Sequence, residues 1–189
     1  SLQKAIDAAK DGDVVTLIKD VTENVLITQK ADLDLTIDGD GKKFTGVMTI
    51  NGSKRSTGAE TLTIKNVTFQ AVEGKDGCIT AHTQSSYPHN VTVDGCTFVG
   101  NDTYSYNNTF AIRYPSGDVG FGLTVKNSTV DSKMFGLIWV SRVENGLVVD
   151  NGATVTLSIP YGTTLTVYGK NGSGRTGVDG TGMFDGSDV

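Results

Sequence analysis

Five short segments of this chain repeat one pattern, and the repetition restricts the fold more than any other feature. They are Leu35-Thr36-Ile37-Asp38-Gly39, Leu62-Thr63-Ile64-Lys65-Asn66, Val91-Thr92-Val93-Asp94-Gly95, Leu123-Thr124-Val125-Lys126-Asn127 and Leu147-Val148-Val149-Asp150-Asn151. The charged fourth position falls at residues 38, 65, 94, 126 and 150, at intervals of 27, 29, 32 and 24. Self-similarity with an uneven period suits a stack of like strands joined by loops of different length, a solenoid rather than a closed globule.

Each column of the repeat has a physical reading. Positions one and three are Leu, Val or Ile in every segment. With the two-residue period of a strand they share one face and point inward, each contributing about 1.5–3 kcal/mol when buried. Position two is Thr in four of the five, a β-branched residue suited to an outward row. Position four runs Asp38, Lys65, Asp94, Lys126, Asp150, so its sign alternates at every step. Parallel strands stacked about 4.8 Å apart would set each charge between opposite ones. Surface pairs are weak, so such a ladder chiefly selects register. Position five is always Gly or Asn, the residues that enter the left-handed backbone region most cheaply, and a turn is expected there.

Two further strands per coil can be read. Val67-Thr68-Phe69, Cys96-Thr97-Phe98 and Ser128-Thr129-Val130 follow the turn, with Phe69 and Phe98 stacked inside. Gly77-Cys78-Ile79-Thr80-Ala81-His82 aligns with Phe110-Ala111-Ile112-Arg113-Tyr114-Pro115 and with Gly136-Leu137-Ile138-Trp139-Val140-Ser141. There Ile79, Ile112 and Ile138 are expected inward, and Thr80, Arg113 and Trp139 outward. At the start, Leu2, Ala5, Ile6 and Ala9 share one face of a short helix ended by Asp11-Gly12, before a strand over Val14–Leu17. Such a helix covers the open end of a solenoid. Near the far end, Ala153–Leu157 and Thr164–Val167 read as closer-spaced strands. The expectation is one domain over residues 1–168, capped by residues 1–12, with 169–189 a Gly-rich tail or linker.

The chain resembles the right-handed parallel β-helix superfamily, whose best-known members are the pectin and pectate lyases. The stretch from Leu2 through Leu17 and on to Leu35–Gly41 looks like the cap and first coils of many secreted bacterial proteins of that type. The resemblance covers roughly residues 1–168. It implies an all-β fold of about five to six coils with an N-terminal capping helix. It implies an extracellular or bacterial cell-surface location. It does not carry an activity, because a fold does not determine one.

Three catalytic patterns are known in that superfamily. Polygalacturonase-like hydrolases carry clustered aspartates, Gly-His-Gly and Arg-x-Lys; His82 and His89 lack that context. Pectate lyases abstract a proton with a basic residue beside carboxylate-held calcium; Arg113 is the candidate base, without a carboxylate cluster around it. Pectin methylesterases are the nearest pattern. Cys96 through Tyr104 is similar to their segment with the general acid, which implies that role for Asp102. Val130-Asp131 with Phe135-Gly136 resembles the segment with the nucleophile, which implies that role for Asp131. The family's glutamines and its Arg-x-Trp are absent.

Composition narrows the partners. Net charge is −5, and the 16 basic residues are scattered. Nucleic acid needs a concentrated basic patch, so it is not expected as a partner. No apolar run approaches the ~20 residues of a membrane-spanning helix, and no membrane insertion is expected. Cys78 and Cys96 are the only cysteines and read as buried thiols ahead of a bridge. Asp38-Gly39-Asp40-Gly41 offers two carboxylates to calcium but lacks the other ligands of a calcium loop, and a turn explains it better. No cofactor is otherwise expected. His82 and His89 read as solvated loop residues.

The favoured site is the outward face of the strands bearing Trp139, the only tryptophan, and Arg113. Aromatic rings stack on sugars, and a guanidinium holds hydroxyls or carboxylates. Tyr104 and Tyr106 in the loop 101–108, and Arg142 just past the strand, complete the candidate set. With no full acid/base set, the expectation is a non-catalytic glycan-binding, adhesin or spacer module, part of a larger multidomain bacterial chain. The alternative is a carbohydrate esterase or polysaccharide lyase acting on acidic polysaccharide.

Overall fold

The computed structural model describes residues 1–29, 33–52, 61–75, 77–81, 89–100, 110–114, 121–130, 136–140 and 147–149. They form one short helix, Leu2–Ala8, and three parallel sheets. The first sheet stacks Asp13–Thr16, Leu35–Asp38, Thr61–Lys65, His89–Asp94, Phe121–Lys126 and Leu147–Val149 in that order. The second stacks Val21–Thr22, Lys43–Thr45, Thr68–Gln70, Thr97–Val99 and Thr129–Val130. The third stacks Val25–Gln29, Met48–Gly52, Ile79–Ala81, Phe110–Tyr114 and Gly136–Val140. The chain visits the sheets in rotation, so each circuit adds one strand to every sheet. This all-β arrangement is consistent with a parallel β-helical solenoid.

The repeat sets the register. Leu35, Thr36, Ile37 and Asp38 pair with Leu62, Thr63, Ile64 and Lys65. These pair in turn with Val91 through Asp94, and those with Leu123 through Lys126. Leu35, Ile37, Leu62, Ile64, Val91, Val93 and Val125 are buried, while Thr36, Thr63 and Thr92 are only half-buried. The two inward columns and the outward threonine row therefore stand as the pattern predicts.

The second sheet fills the centre with aromatic rings. Phe69 and Phe98 are in register and stacked, with centroids 5.0 Å apart and planes 6° from parallel. Phe44, which the repeat did not flag, joins them edge-on at 5.7 Å and 72°. All three are fully buried. The third sheet adds Val25, Ile27, Met48, Ile50, Ile79 and Ile112, all buried.

The turn column departs from expectation at one place. Asn66, Gly95 and Asn127 have φ of 54°, 63° and 51°, in the left-handed region as predicted. Gly39 does not; in that coil Asp40 and Gly41 take the positive φ, 47° and 73°. Gly39 is glycine for want of room. A β-carbon there would run into the Asn66 carbonyl and lie 2.6 Å from the Val67 α-carbon.

Two smaller expectations also change. His89 opens the strand His89–Asp94, in register with Phe121, rather than sitting in a loop. Ala5 of the helix is exposed, because only Leu2 and Ile6 reach the core. Helix Leu2–Ala8 starts at Ser1, whose Oγ accepts from the Lys4 amide at 3.3 Å. It closes the edge of the third sheet through one side chain. Gln3 Oε1 accepts from the Leu26 amide at 2.7 Å, and Gln3 Nε2 donates to the Leu26 carbonyl at 2.9 Å. A primary amide thus supplies the donor and acceptor that a neighbouring strand would have offered.

Cys78 and Cys96 are buried and form no disulfide. Burial pushes the Cys96 thiol up to about 12, against smaller lowering by backbone contacts with Val67 and Asp94. The folded protein is therefore expected to give no reaction with Ellman's reagent at mildly alkaline pH. Both thiols should titrate after unfolding in guanidinium. Reaction of either in the folded state would mean that the interior is open.

Candidate functional site

The candidate binding face is built on one column of the third sheet. Leu26 pairs with Thr49, Thr49 with Thr80, Thr80 with Arg113, and Arg113 with Trp139. The column alternates with Met48, Ile50, Ile79 and Ile112, all buried. Parallel pairing sets successive members about 4.8 Å apart along the stack. Arg113 and Trp139 thus occupy neighbouring register positions, as the alignment of their strands requires. Leu26 is exposed and Thr49 half-buried, but Thr80, expected outward, is buried at 8 % exposure. Tyr104, Tyr106, Arg142, Asp102 and Asp131 lie outside the described residues, as does His82.

A second polar constellation lies where the first sheet turns toward the second. The Asp38 carboxylate accepts from the Asp40 amide at 3.0 Å and from Asn66 Nδ2 at 3.1 Å, and Lys65 Nζ lies 3.2 Å away. One coil pair further on, Asp94 Oδ1 accepts from Asn127 Nδ2 at 2.9 Å. The alternating charge ladder is therefore also a hydrogen-bond ladder. Asp38 and Asp94 each receive the asparagine amide of the coil after their own.

This arrangement explains why the fourth and fifth columns vary together in the first four repeats, an alternation that Asp150-Asn151 does not continue. Asp is followed by Gly at 38–39 and 94–95, and Lys by Asn at 65–66 and 126–127. The coil with Lys-Asn supplies the ammonium and the amide. The coil with Asp-Gly supplies the acceptor, and its missing β-carbon makes room: one built at Gly39 would strike the Asn66–Val67 backbone, and one at Gly95 would lie 2.9 Å from Asn66 Oδ1. The paired alternation was visible in the residues, yet reading the charges alone misses it.

The environment of Asp38 is that of a structural carboxylate. Partial burial acts to raise its pKa. The Asp40 amide, the Asn66 amide and the Lys65 ammonium outweigh that effect and hold the carboxyl below the ordinary carboxylate range. A group so supplied with donors is a poor proton acceptor for chemistry. The Asp38 to Gly41 stretch forms the turn expected of it, with Asp40 Oδ2 3.2 Å from Lys42 Nζ. Among the described residues, no three His, Cys, Asp or Glu side chains come together as metal ligands.

Two substitutions test the ladder. Because the folded carboxyl of Asp38 binds its proton more weakly than the unfolded one, its stabilisation is complete above the unfolded pKa, near 3.9. It is lost as pH falls through the lower folded value. The stability difference between wild type and Asp38→Asn, from urea unfolding, should be largest above about pH 5 and shrink below about pH 4. Gly39→Ala should destabilise by about 1–3 kcal/mol, since the neighbouring coil must move aside. A neutral effect would show that the coils are less closely stacked at that corner.

Comparison with protein-family models, with curated proteins and with solved structures finds no match to the chain.

Proposed function

We propose that this chain is a right-handed parallel β-helix of the pectin-lyase-like type, with about five to six coils, serving as a non-catalytic extracellular module of a bacterial surface or secreted protein. Its ligand is a glycan, held on the outer side of the third sheet, and the module also acts as a rigid spacer. The observation that carries this reading is the register pairing of Arg113 with Trp139 in a column that continues through Thr80 and Thr49. A guanidinium beside an indole supplies the fork for hydroxyls or carboxylates and the flat ring for a sugar. Tyr104, Tyr106 and Arg142 complete the proposed ligand set on the strength of the sequence pattern alone. The first sheet, by contrast, carries a row of half-buried threonines and an Asp38 already paired with Lys65, which leaves less for a ligand to recognise.

A glycan array probed with the wild-type chain and with Trp139→Ala tests the assignment. Binding to a defined class of glycan, weakened about tenfold or more by the substitution, is the expected result. Binding that survives the substitution sinks the site. No binding to any glycan leaves the spacer role alone.

A further inference from the structure

The strand Asp13–Thr16 stands at the end of the first sheet. Gln3 closes the third sheet at the same end of the stack, since helix Leu2–Ala8 lies over Val25–Gln29. Between that helix and the first sheet runs a groove of about 710 Å³, lined by Leu2 and Ala5 on one side and by Val15, Leu17, Ile18 and Val21 on the other. The Leu17 amide donates to the Asp38 carbonyl at 2.9 Å, toward the next coil. Backbone groups alternate along a strand, so those of Thr16 and Val14 point to the open side. Val14 is 56 % exposed and Ile18 87 %.

The segment Asp13-Val14-Val15-Thr16-Leu17-Ile18-Lys19 is chemically symmetric about Thr16. Val15 mirrors Leu17, Val14 mirrors Ile18, and Asp13 mirrors Lys19. We propose that a second copy of this chain docks on this edge, with the two strands antiparallel about a twofold axis at Thr16 and the bend at Ile18 and Lys19 of each copy lying beside the start of the other's strand. In that register Thr16 exchanges both backbone hydrogen bonds with the partner's Thr16. Val14 covers the partner's Ile18, and Asp13 meets the partner's Lys19, each contact occurring twice by symmetry. Val15 and Leu17, on the groove side, add the partner's Leu17 and the partner's Val15 to the apolar lining. The interface is isologous and closes on itself, which also removes an open sheet edge.

Sedimentation of the full chain over a range of concentrations is expected to show a monomer–dimer equilibrium. Ile18→Lys, at a site too exposed to matter for folding, should raise the dimer dissociation constant about tenfold or more. Asp13→Lys and Lys19→Asp should each weaken the homodimer, and an equimolar mixture of the two should restore association, because unlike charges then meet in both pairs. Thr16→Cys should form a disulfide-linked dimer on mild oxidation, since hydrogen-bonded antiparallel partners lie about 5.5 Å apart at Cα, within disulfide reach. Thr22→Cys, exposed at the end of the second sheet, should not. A chain that stays monomeric at every concentration overturns the proposal. So does a dimer indifferent to Ile18→Lys, a mixture of folded charge variants that stays apart, or equal crosslinking at Thr16 and Thr22.

Discussion

Among the described residues, each strand inside a sheet is bound to the strands of the coils before and after it, and a parallel pairing admits only registers in which their inward residues fall at the same height. A slip of one residue would turn a whole strand inside out, exposing Leu and Ile and burying Thr. The apolar columns Leu35–Leu62–Val91 and Ile37–Ile64–Val93, the ring stack of Phe44, Phe69 and Phe98, and the row of buried isoleucines in the third sheet all express this one requirement. It also leaves the connections free. Coils of different length coexist because the stack demands matched strands and nothing of the loops between them.

Apolar columns stabilise the stack but discriminate poorly among neighbours, since Leu, Ile and Val pack on one another almost interchangeably. The polar corner supplies the discrimination. Asp38 is matched to Lys65 and Asn66, and Asp94 to Asn127, so a coil of the wrong kind at either place would leave a carboxylate short of its donors. Glycine serves this corner in two different ways. At Gly95 it supplies a positive φ that a β-carbon would strain, whereas at Gly39 it makes room for the backbone of the next coil. One residue type, read in one column, answers two separate steric demands.

A stack of this kind has two places where function can reside: its outer faces and its ends. Along a sheet, register turns residues distant in the chain into a regular line, which is how Thr49, Thr80, Arg113 and Trp139 come to share a column. At the end, the same regularity leaves an edge that must be closed. Gln3 does so for the third sheet by presenting its amide to the Leu26 backbone. The first sheet ends in a strand with exposed Val14 and with Ile18 just beyond it.

The residues alone determined the period, the inward and outward columns, the phenylalanine pair Phe69 and Phe98, and the alignment that sets Arg113 beside Trp139. Each of these follows from strand periodicity and from repetition, and both are properties of the residue string. The strands of the first two coils in the second and third sheets, with Phe44 and Met48 among them, lacked a repeated neighbour clear enough to reveal them. Only the tertiary structure decided what depends on one coil lying against another. It showed that Gly39 is needed for space rather than for its own φ, that Asn66 and Asn127 reach back to Asp38 and Asp94, and that Gln3 stands in for a strand. The reason is physical: a column can be read within each coil separately, but a hydrogen bond or a steric limit between coils exists only once the two are stacked.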